Sequence, residues 1–229
     1  MKKITITLLL IAFILLIPGL SQSQVKGGDK PMTPLEPESK VIALPKPDTT
    51  RGIPVMTALK HRASVRDFET IDLTLEDISD LLWAANGINR PEEGKRTAPS
   101  AQNAQDVDLY VFSKDAIFLY NASKHQLELV AKGDHRNILA GRQTEVLKAP
   151  LIILIVSDVS RFRSGENELR QLWGHIDGGM VAQNILIFCA SEGFQARPRA
   201  WMDHSQIKEV LKLSESQYPV LNIPISGKK

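Results

Sequence analysis

Cysteine is almost missing from this chain of 229 residues: Cys189 stands alone. That excludes an intrachain disulfide framework and any zinc cluster built on thiolates. The five histidines are scattered, with no pair at the spacing a metal site needs. An excess of charge is missing too. The formal net charge is +2, and setting aside Lys2 and Lys3, which fall in a segment expected to be removed, leaves a balance against 26 acidic residues. A balanced chain offers no electrostatic reason to bind nucleic acid. There is no internal repeat and, outside the Pro-rich stretch near the N-terminus, no low-complexity tract. What remains, 43% hydrophobic and 24% charged, is ordinary globular composition and excludes disordered and collagen-like classes.

The N-terminus reads as an address. Met1, Lys2 and Lys3 form a short basic region, residues 4–17 run without a charge, and Pro18 and Gly19 end the run. Ser21 and Ser23 place small residues at −3 and −1 for cleavage before Gln24. These are the three parts of a secretory signal peptide over 1–23. The rival, a membrane anchor, needs a span of about 20 residues, and this run is short for it. The mature protein is expected to be periplasmic or secreted from a bacterium. Residues 24–52 hold Gly27, Gly28, Pro31, Pro34, Pro37, Pro45 and Pro47 and no clear periodicity. Such a Pro-rich segment is expected to be a linker, or an arm that gains order only against a partner surface. The folded domain is expected over 53–229.

Within that domain Pro54 opens a first helix that stops near Ser64. Residues 74–86 predict a second: Thr74 as N-cap, Asp77 three residues on in the capping-box position, and Leu75, Ile78, Leu81, Leu82 and Ala85 at helical spacing. Gly87 is expected to close it as the C′ residue. Strands are expected over 107–112, 116–120 and 127–130, the last two joined as a hairpin through the turn-rich 121–125. The apolar run 151–156 suits a strand buried on both faces. Residues 166–192 read as one long helix, so apolar from Met180 to Ala190 that it must be central or covered by another subunit. Gly178 and Gly179 inside it cost about 1 kcal/mol each relative to alanine, which implies close approach to another helix or a flat ligand. A short helix over 205–213 and a strand over 220–225 finish the chain. Strands and helices mix without a repeating βαβ unit, so the fold class is α+β with an antiparallel-rich sheet flanked by helices.

Three segments carry candidate chemistry. In 60–68 (KHRASVRDF), Arg62, Ser64 and Arg66 are spaced two apart where a helix gives way to extended chain. Residues so spaced point the same way, and two guanidiniums with a hydroxyl grip a phosphate through charge-assisted bonds. The alternative is a solvated basic helix end. In 97–105 (TAPSAQNAQ), Gln102, Asn103 and Gln105 supply the donors and acceptors that the edge of a heteroaromatic ring requires; a plain polar turn is the alternative. In 177–184 (DGGMVAQN), Gln183 and Asn184 lie in an apolar stretch and need partners if buried. Cys189 on the same helix reads as core rather than a redox thiol.

Taken in order, these segments resemble the FMN-dependent nitroreductase family. The matching pieces are Arg62-x-Ser64-x-Arg66, then 81–87 (LLWAANG), then 98–105 (APSAQNAQ), a strand after Ala149 and Pro150, and 177–184. The hairpin near Tyr120 and the stretch 83–87 are similar to the branch holding the azoline-forming peptide oxidases. The resemblance implies a nitroreductase-like fold and a homodimer with FMN at the subunit interface, beside the long helix. It places Arg62, Ser64 and Arg66 on the flavin phosphate and ribityl chain, Asn103 with Gln105 by the ring, and Lys229 or Lys228 as a second phosphate contact from the tail 225–229 (ISGKK). Where many members carry Pro-x-x-Gly over the flavin, this chain has 197–201 (RPRAW), so Ala200 and Trp201 reshape the roof of the pocket. The implied activity passes hydride or electrons through FMN to a small planar acceptor such as a quinone or nitroaromatic, from an unnamed donor. The alternatives are a flavin-binding accessory protein without turnover, or a flavin-dependent dehydrogenase acting on a peptide or aromatic substrate. In such an enzyme the cofactor carries the redox chemistry, so no general acid, base or nucleophile is assigned.

Overall fold

The computed structural model of the protein describes Leu35 and residues 37–228. The signal peptide expected over 1–23, the first part of the Pro-rich segment and the candidate Lys229 lie outside the described residues.

A seven-stranded sheet, antiparallel at every pairing, organises the domain. Its strands are β1 (Val41–Ala43), β4 (Val107–Phe112), β5 (Ala116–Asn121), β6 (Gln126–Lys132), β7 (Leu151–Asp158), β8 (Gln195–Ala196) and β9 (Gln217–Ser226), in the order β1-β6-β5-β4-β7-β9-β8. A separate two-stranded ladder pairs β2 (Ile88–Arg90) with β3 (Lys95–Arg96). The helices are α1 (Val55–His61), α2 (Leu75–Asn86), the short α3 (Asn137–Ala140), α4 (Asn167–Glu192) and α5 (His204–Leu211). The three-layer arrangement follows from β7. Leu151, Ile153 and Ile155 enter a core shared with α2 and α4, whereas Ile152, Leu154 and Val156 face a second core with α3 and α5. Strict alternation with both faces apolar is what a covered central strand requires.

The second helix starts where its residues dictate. Thr74 Oγ1 accepts the Asp77 N–H at 3.1 Å, and Asp77 Oδ2 accepts the Thr74 N–H at 3.0 Å, a complete reciprocal cap. Its end differs from expectation. Gly87 is the C-cap itself at φ −73°, ψ 170°, not a left-handed C′ residue. A Cβ there would sit 2.5 Å from Trp83 Cδ1 and 2.7 Å from the Trp83 carbonyl oxygen, so close approach, not positive φ, selects glycine.

The glycine pair of α4 divides in the same way. A Cβ on Gly178 would meet Val220 Cγ1 at 2.9 Å and Ile155 Cγ2 at 3.4 Å, whereas Gly179 has open space beside it. The close approach at Gly178 is therefore to the sheet. Gly178→Ala gains helix propensity but overpacks the α4–sheet contact, and overpacking costs about 1–3 kcal/mol. Net destabilisation by about 1 kcal/mol in urea unfolding is expected; a more stable variant would show that the contact gives way freely.

The Pro-rich segment also differs. From Val41 it adds an edge strand to its own domain, with Val41 opposite Glu128 and Ala43 opposite Gln126, and Leu35 and Leu44 are buried in the core. Arg51 fastens it by ion pairs to Asp80 at 2.7 Å and Asp77 at 2.9 Å on α2, and to Glu192 at the end of α4. His125 Nε2 adds a contact to the Pro45 carbonyl at 2.9 Å. The surface that orders residues 41–51 is thus the chain's own, reached through contacts far apart in sequence.

Candidate functional site

Helix α1 ends at Arg62, whose ψ of 119° turns the chain extended. Val65 N–H then donates to the Ala196 carbonyl at 3.1 Å, which lays this segment along the free edge of β8. Ser64 and Arg66 flank Val65, so they share a direction. Both line a cleft of about 660 Å³ whose other wall holds Arg197, Arg199, Ala200 and Trp201. Ser64 and Arg66 are exposed, and neither Arg62 nor Arg66 forms an ion pair among the described residues. Exposed cations without a carboxylate partner suit an anionic ligand such as a phosphate. Arg62 itself, half-buried as the cap of α1, is not among the residues lining the cleft.

The far wall is held by Arg199, which is 7% exposed. Its guanidinium donates to the carbonyls of Leu139 at 2.8 Å and Ala140 at 3.0 Å, to Asn222 Oδ1 at 2.8 Å and to Gln143 Oε1 at 3.0 Å. Asn222 in turn donates from Nδ2 to the Trp201 carbonyl at 2.9 Å. The Trp201 ring lies against Gly141, which has φ 57° and where a Cβ would overlap the indole. One buried cation thus fixes both the turn at Gly141 and the tryptophan on it. Nothing in the sequence pattern marks Arg199 for this role, since its partners lie in 139–143 and at Asn222, both far from it in sequence.

Asn103 and Gln105 lie elsewhere. Ala101 N–H donates to Asp177 Oδ2 at 2.8 Å in the first half of α4, and Asp158 N–H donates to the Asp106 carbonyl, which puts this loop at the Ser157 end of β7. The Ser64 and Arg66 wall of the cleft is at the Leu151 end, where Ile225 pairs with both Leu151 and Ala196, and its Arg199 wall is nearer the middle, where Asn222 pairs with both Arg199 and Leu154. Six residues of strand separate the two ends, about 20 Å at ~3.4 Å per residue. The loop is strained: Gln102, Asn103 and Gln105 have φ of 56°, 53° and 50°, a left-handed region costly for residues with a Cβ. Gln105 is spent internally, accepting from Arg96 Nε at 3.0 Å and donating to the Gly94 carbonyl at 2.8 Å. Its amide is therefore not free to meet a ring in this conformation. Gln102 is likewise engaged with residues 163 and 164. Asn103 is exposed and has no hydrogen-bonded side chain among the described residues.

Of the remaining candidates, Gln183 is exposed and Asn184 donates to the Ala85 carbonyl at 3.2 Å, a structural bond between α4 and α2. Cys189 is buried, and burial pushes its thiol well above the usual range, so it is core. The C-terminal tail packs back towards the cleft's segment, with Ser226 Oγ donating to the Glu69 carbonyl at 2.7 Å and Gly227 N–H to the Ile71 carbonyl at 2.8 Å. Beneath the Asn103 loop lies a pair that sequence reading missed. Asp106 is fully buried and accepts from Ser157 Oγ at 2.5 Å; burial, with Asp177 alongside, pushes its carboxyl up to about 7. Burial also raises Asp177.

Along α4, Leu169, Leu172, Ile176 and Met180 form an exposed stripe at helical spacing, each between 41% and 55% accessible. Val55, Met56 and Leu59 of α1 are exposed beside that helix. An apolar stripe of this length on a folded domain marks a contact surface.

Comparison with known proteins agrees with this architecture. The model of the nitroreductase family matches residues 59–228. A candidate nitroreductase of Ralstonia eutropha, known as a crystal structure, is 34% identical, with a TM-score of 0.78 over 89% of this chain and 96% of its own. A candidate nitroreductase of Methanocaldococcus jannaschii is 27% identical over 179 residues, covering 74% of this chain and 89% of its own. A chain of the Escherichia coli microcin synthetase complex, at 16% identity and a TM-score of 0.63 over 82% of this chain and 78% of its own, shares the fold. With the family model matching residues 59–228 and a crystal structure 34% identical sharing the fold, this chain belongs to the nitroreductase family of oxidoreductases.

Proposed function

We propose that the protein is an exported, FMN-dependent oxidoreductase that works as a homodimer and passes hydride or electrons to a small planar acceptor such as a quinone or nitroaromatic. One observation carries the reading. Ser64 and Arg66 lie at the Leu151 end of the sheet and share a cleft with Ala200 and Trp201, while the Asn103 loop is at the Ser157 end, six residues or about 20 Å further along β7 than Leu151. In this reading a second copy brings its Asn103 to the flavin that these residues hold. The apolar stripe on α4 supplies a surface for that copy, and burying four such side chains per subunit favours association by several kcal/mol.

In this reading Arg66 and Ser64 hold the phosphate, with Arg62 contributing from the end of α1 and Lys229 or Lys228 from the tail. Asn103 of one copy meets the ring bound by the other, and Ala200 and Trp201 form the roof. Bound FMN supplies the redox chemistry; the protein holds the phosphate, orients the ring and keeps bulk water from it. Gln105 acts behind Asn103, stiffening the loop through Arg96 and Gly94.

Purified mature protein is expected to be yellow, to sediment as a dimer, and to begin at Gln24 by mass spectrometry when exported. Leu172→Glu with Ile176→Glu places charges in the stripe and is expected to give monomers that retain helix content but hold FMN at least tenfold more weakly. Wild-type protein that binds no added FMN, or a charged-stripe variant that remains a flavin-loaded dimer, would overturn the arrangement. Stoichiometric FMN that no donor reduces under argon would favour an accessory role, and bleaching of the flavin by a peptide or aromatic substrate a dehydrogenase.

A further inference from the structure

The loop that presents Asn103 is built against its own backbone preferences, with three left-handed non-glycine residues among four. Something must hold it. Its first N–H, that of Ala101, donates to Asp177 Oδ2 at 2.8 Å. Asp106, at the loop's other end, points into the same buried space. Its Oδ2 accepts from Ser157 Oγ, while its Oδ1 is buried without any hydrogen-bond partner among the described residues. An ionised carboxylate is acceptor-only, and an orphaned acceptor beside a second carboxylate is costly. A proton on Asp106 Oδ1 converts that oxygen into a donor towards Asp177 and removes both costs at once. Helix α4 closes the space from above: a Cβ on Gly174 would run into Ser157 Oγ and stand 3.6 Å from Asp106 Oδ2.

We propose that Asp106 and Asp177 share one proton and act as a positioning pair that locks the 101–105 loop and so aims Asn103. The consequence for the cofactor rests on the flavin reading above; the lock itself does not. The charged groups facing the pair are few. Asp177 comes from α4, and Arg161, which follows β7, is committed to Asp108 at 2.6 Å, Asp158 at 3.5 Å and the Gln105 carbonyl at 2.9 Å. Loss of the proton to water leaves two adjacent buried carboxylates, and among the described residues the nearby cation Arg161 is already paired with Asp108 and Asp158. The strained loop is then released. The folded pair keeps its proton until about pH 7, whereas an unfolded aspartate releases it near 3.8, so this group removes stability as pH rises through that window. His125, held neutral by burial, works in the opposite sense, losing stability as pH falls below its unfolded value of 6.5. Comparison at fixed pH with Asp106→Asn, whose amide donates to Asp177 at every pH while its oxygen still accepts from Ser157, cancels that contribution.

The test uses the dimer as purified, at pH 6.0 and 8.5. Wild-type protein is expected to bind FMN at least tenfold more weakly at the higher pH relative to Asp106→Asn, whose affinity stays level. Hydrogen exchange, corrected for intrinsic rates, is expected to show the Ala101 amide losing protection at pH 8.5 in the wild type alone. Equal pH dependence in the two proteins, or unchanged Ala101 protection in the wild type, overturns the pair. If Asp106→Asn fails to fold, the wild-type exchange profile decides by itself. Absence of FMN binding at both pH values would instead defeat the flavin reading, and exchange at Ala101 would still judge the lock.

Discussion

If FMN binds as proposed, replacing Arg62 and Arg66 together by alanine is expected to weaken its binding by two to four orders of magnitude without changing the oligomeric state. Each charge-assisted bond to a phosphate is worth about 1.5–3 kcal/mol, and about 1.4 kcal/mol is a tenfold change in affinity. The two shares are unequal. Arg66 lines the cleft beside Ser64, whereas Arg62 caps α1 and is not part of the cleft wall. Arg66→Ala alone should therefore show most of the loss, and Arg66→Lys should recover only part, since an ammonium cannot make the bidentate contact. Both arginines are free of ion pairs among the described residues, so neither substitution strands a buried carboxylate. Circular dichroism should be unchanged while flavin fluorescence titration shifts. An unaltered titration for the double variant would remove the phosphate from this cleft.

The largest effect on stability is expected from Arg199→Ala. Three buried acceptors, on α3 and β9, and the exposed Gln143 lose a shared charged donor. Breaking a buried network of this kind costs about 3–5 kcal/mol, or roughly 10 °C in Tm for a chain of this size. The loss should extend to the cleft. Asn222 holds the Trp201 carbonyl, and the Gly141 turn under the indole follows directly on Leu139 and Ala140, both bonded to Arg199. A thermal scan checks the first part, and the emission spectrum of Trp201, isolated by comparison with Trp201→Phe, checks the second. A fall in Tm below about 2 °C would mean that water replaces the guanidinium at little cost. Arg199 lacks an ion pair among the described residues, and burial lowers its pKa. Its own desolvation therefore offsets some of the network's gain.

How far the sequence reached differs from element to element, for physical reasons. The start of α2 was legible because a capping box is a contact between Thr74 and Asp77, three residues apart, and the helix needs nothing beyond itself to place it. The β5–β6 hairpin was legible because a short turn sets its register. Helix α4 and strand β7 were legible from the length and periodicity of their apolar runs. Gly87 was misread for the same kind of reason: glycine after a helix most often supplies positive φ, and only the position of the Trp83 side chain shows that space was the requirement.

At the candidate site the division is the same. Ser64 and Arg66 fell on one wall because alternation along extended chain is a local rule. The amides of 102–105 are identical as letters, yet Gln102 and Gln105 are bound inside the loop's surroundings while Asn103 is left outward, a choice made by Arg96, Gly94 and Ser164.

By itself, the sequence determined helices α1, α2, α4 and α5, the central strands, the α+β class and the direction shared by Ser64 and Arg66, because short-range hydrogen bonds and apolar periodicity specify each of them. Only the tertiary structure decided that residues 41–43 close the sheet beside β6, that Arg199 braces Trp201, and that Asp106 meets Asp177 beneath Asn103. Those outcomes depend on which segments are packed together and deprived of water. Burial turns an ordinary arginine or aspartate into a group that must find a partner, and a linear pattern carries no record of burial.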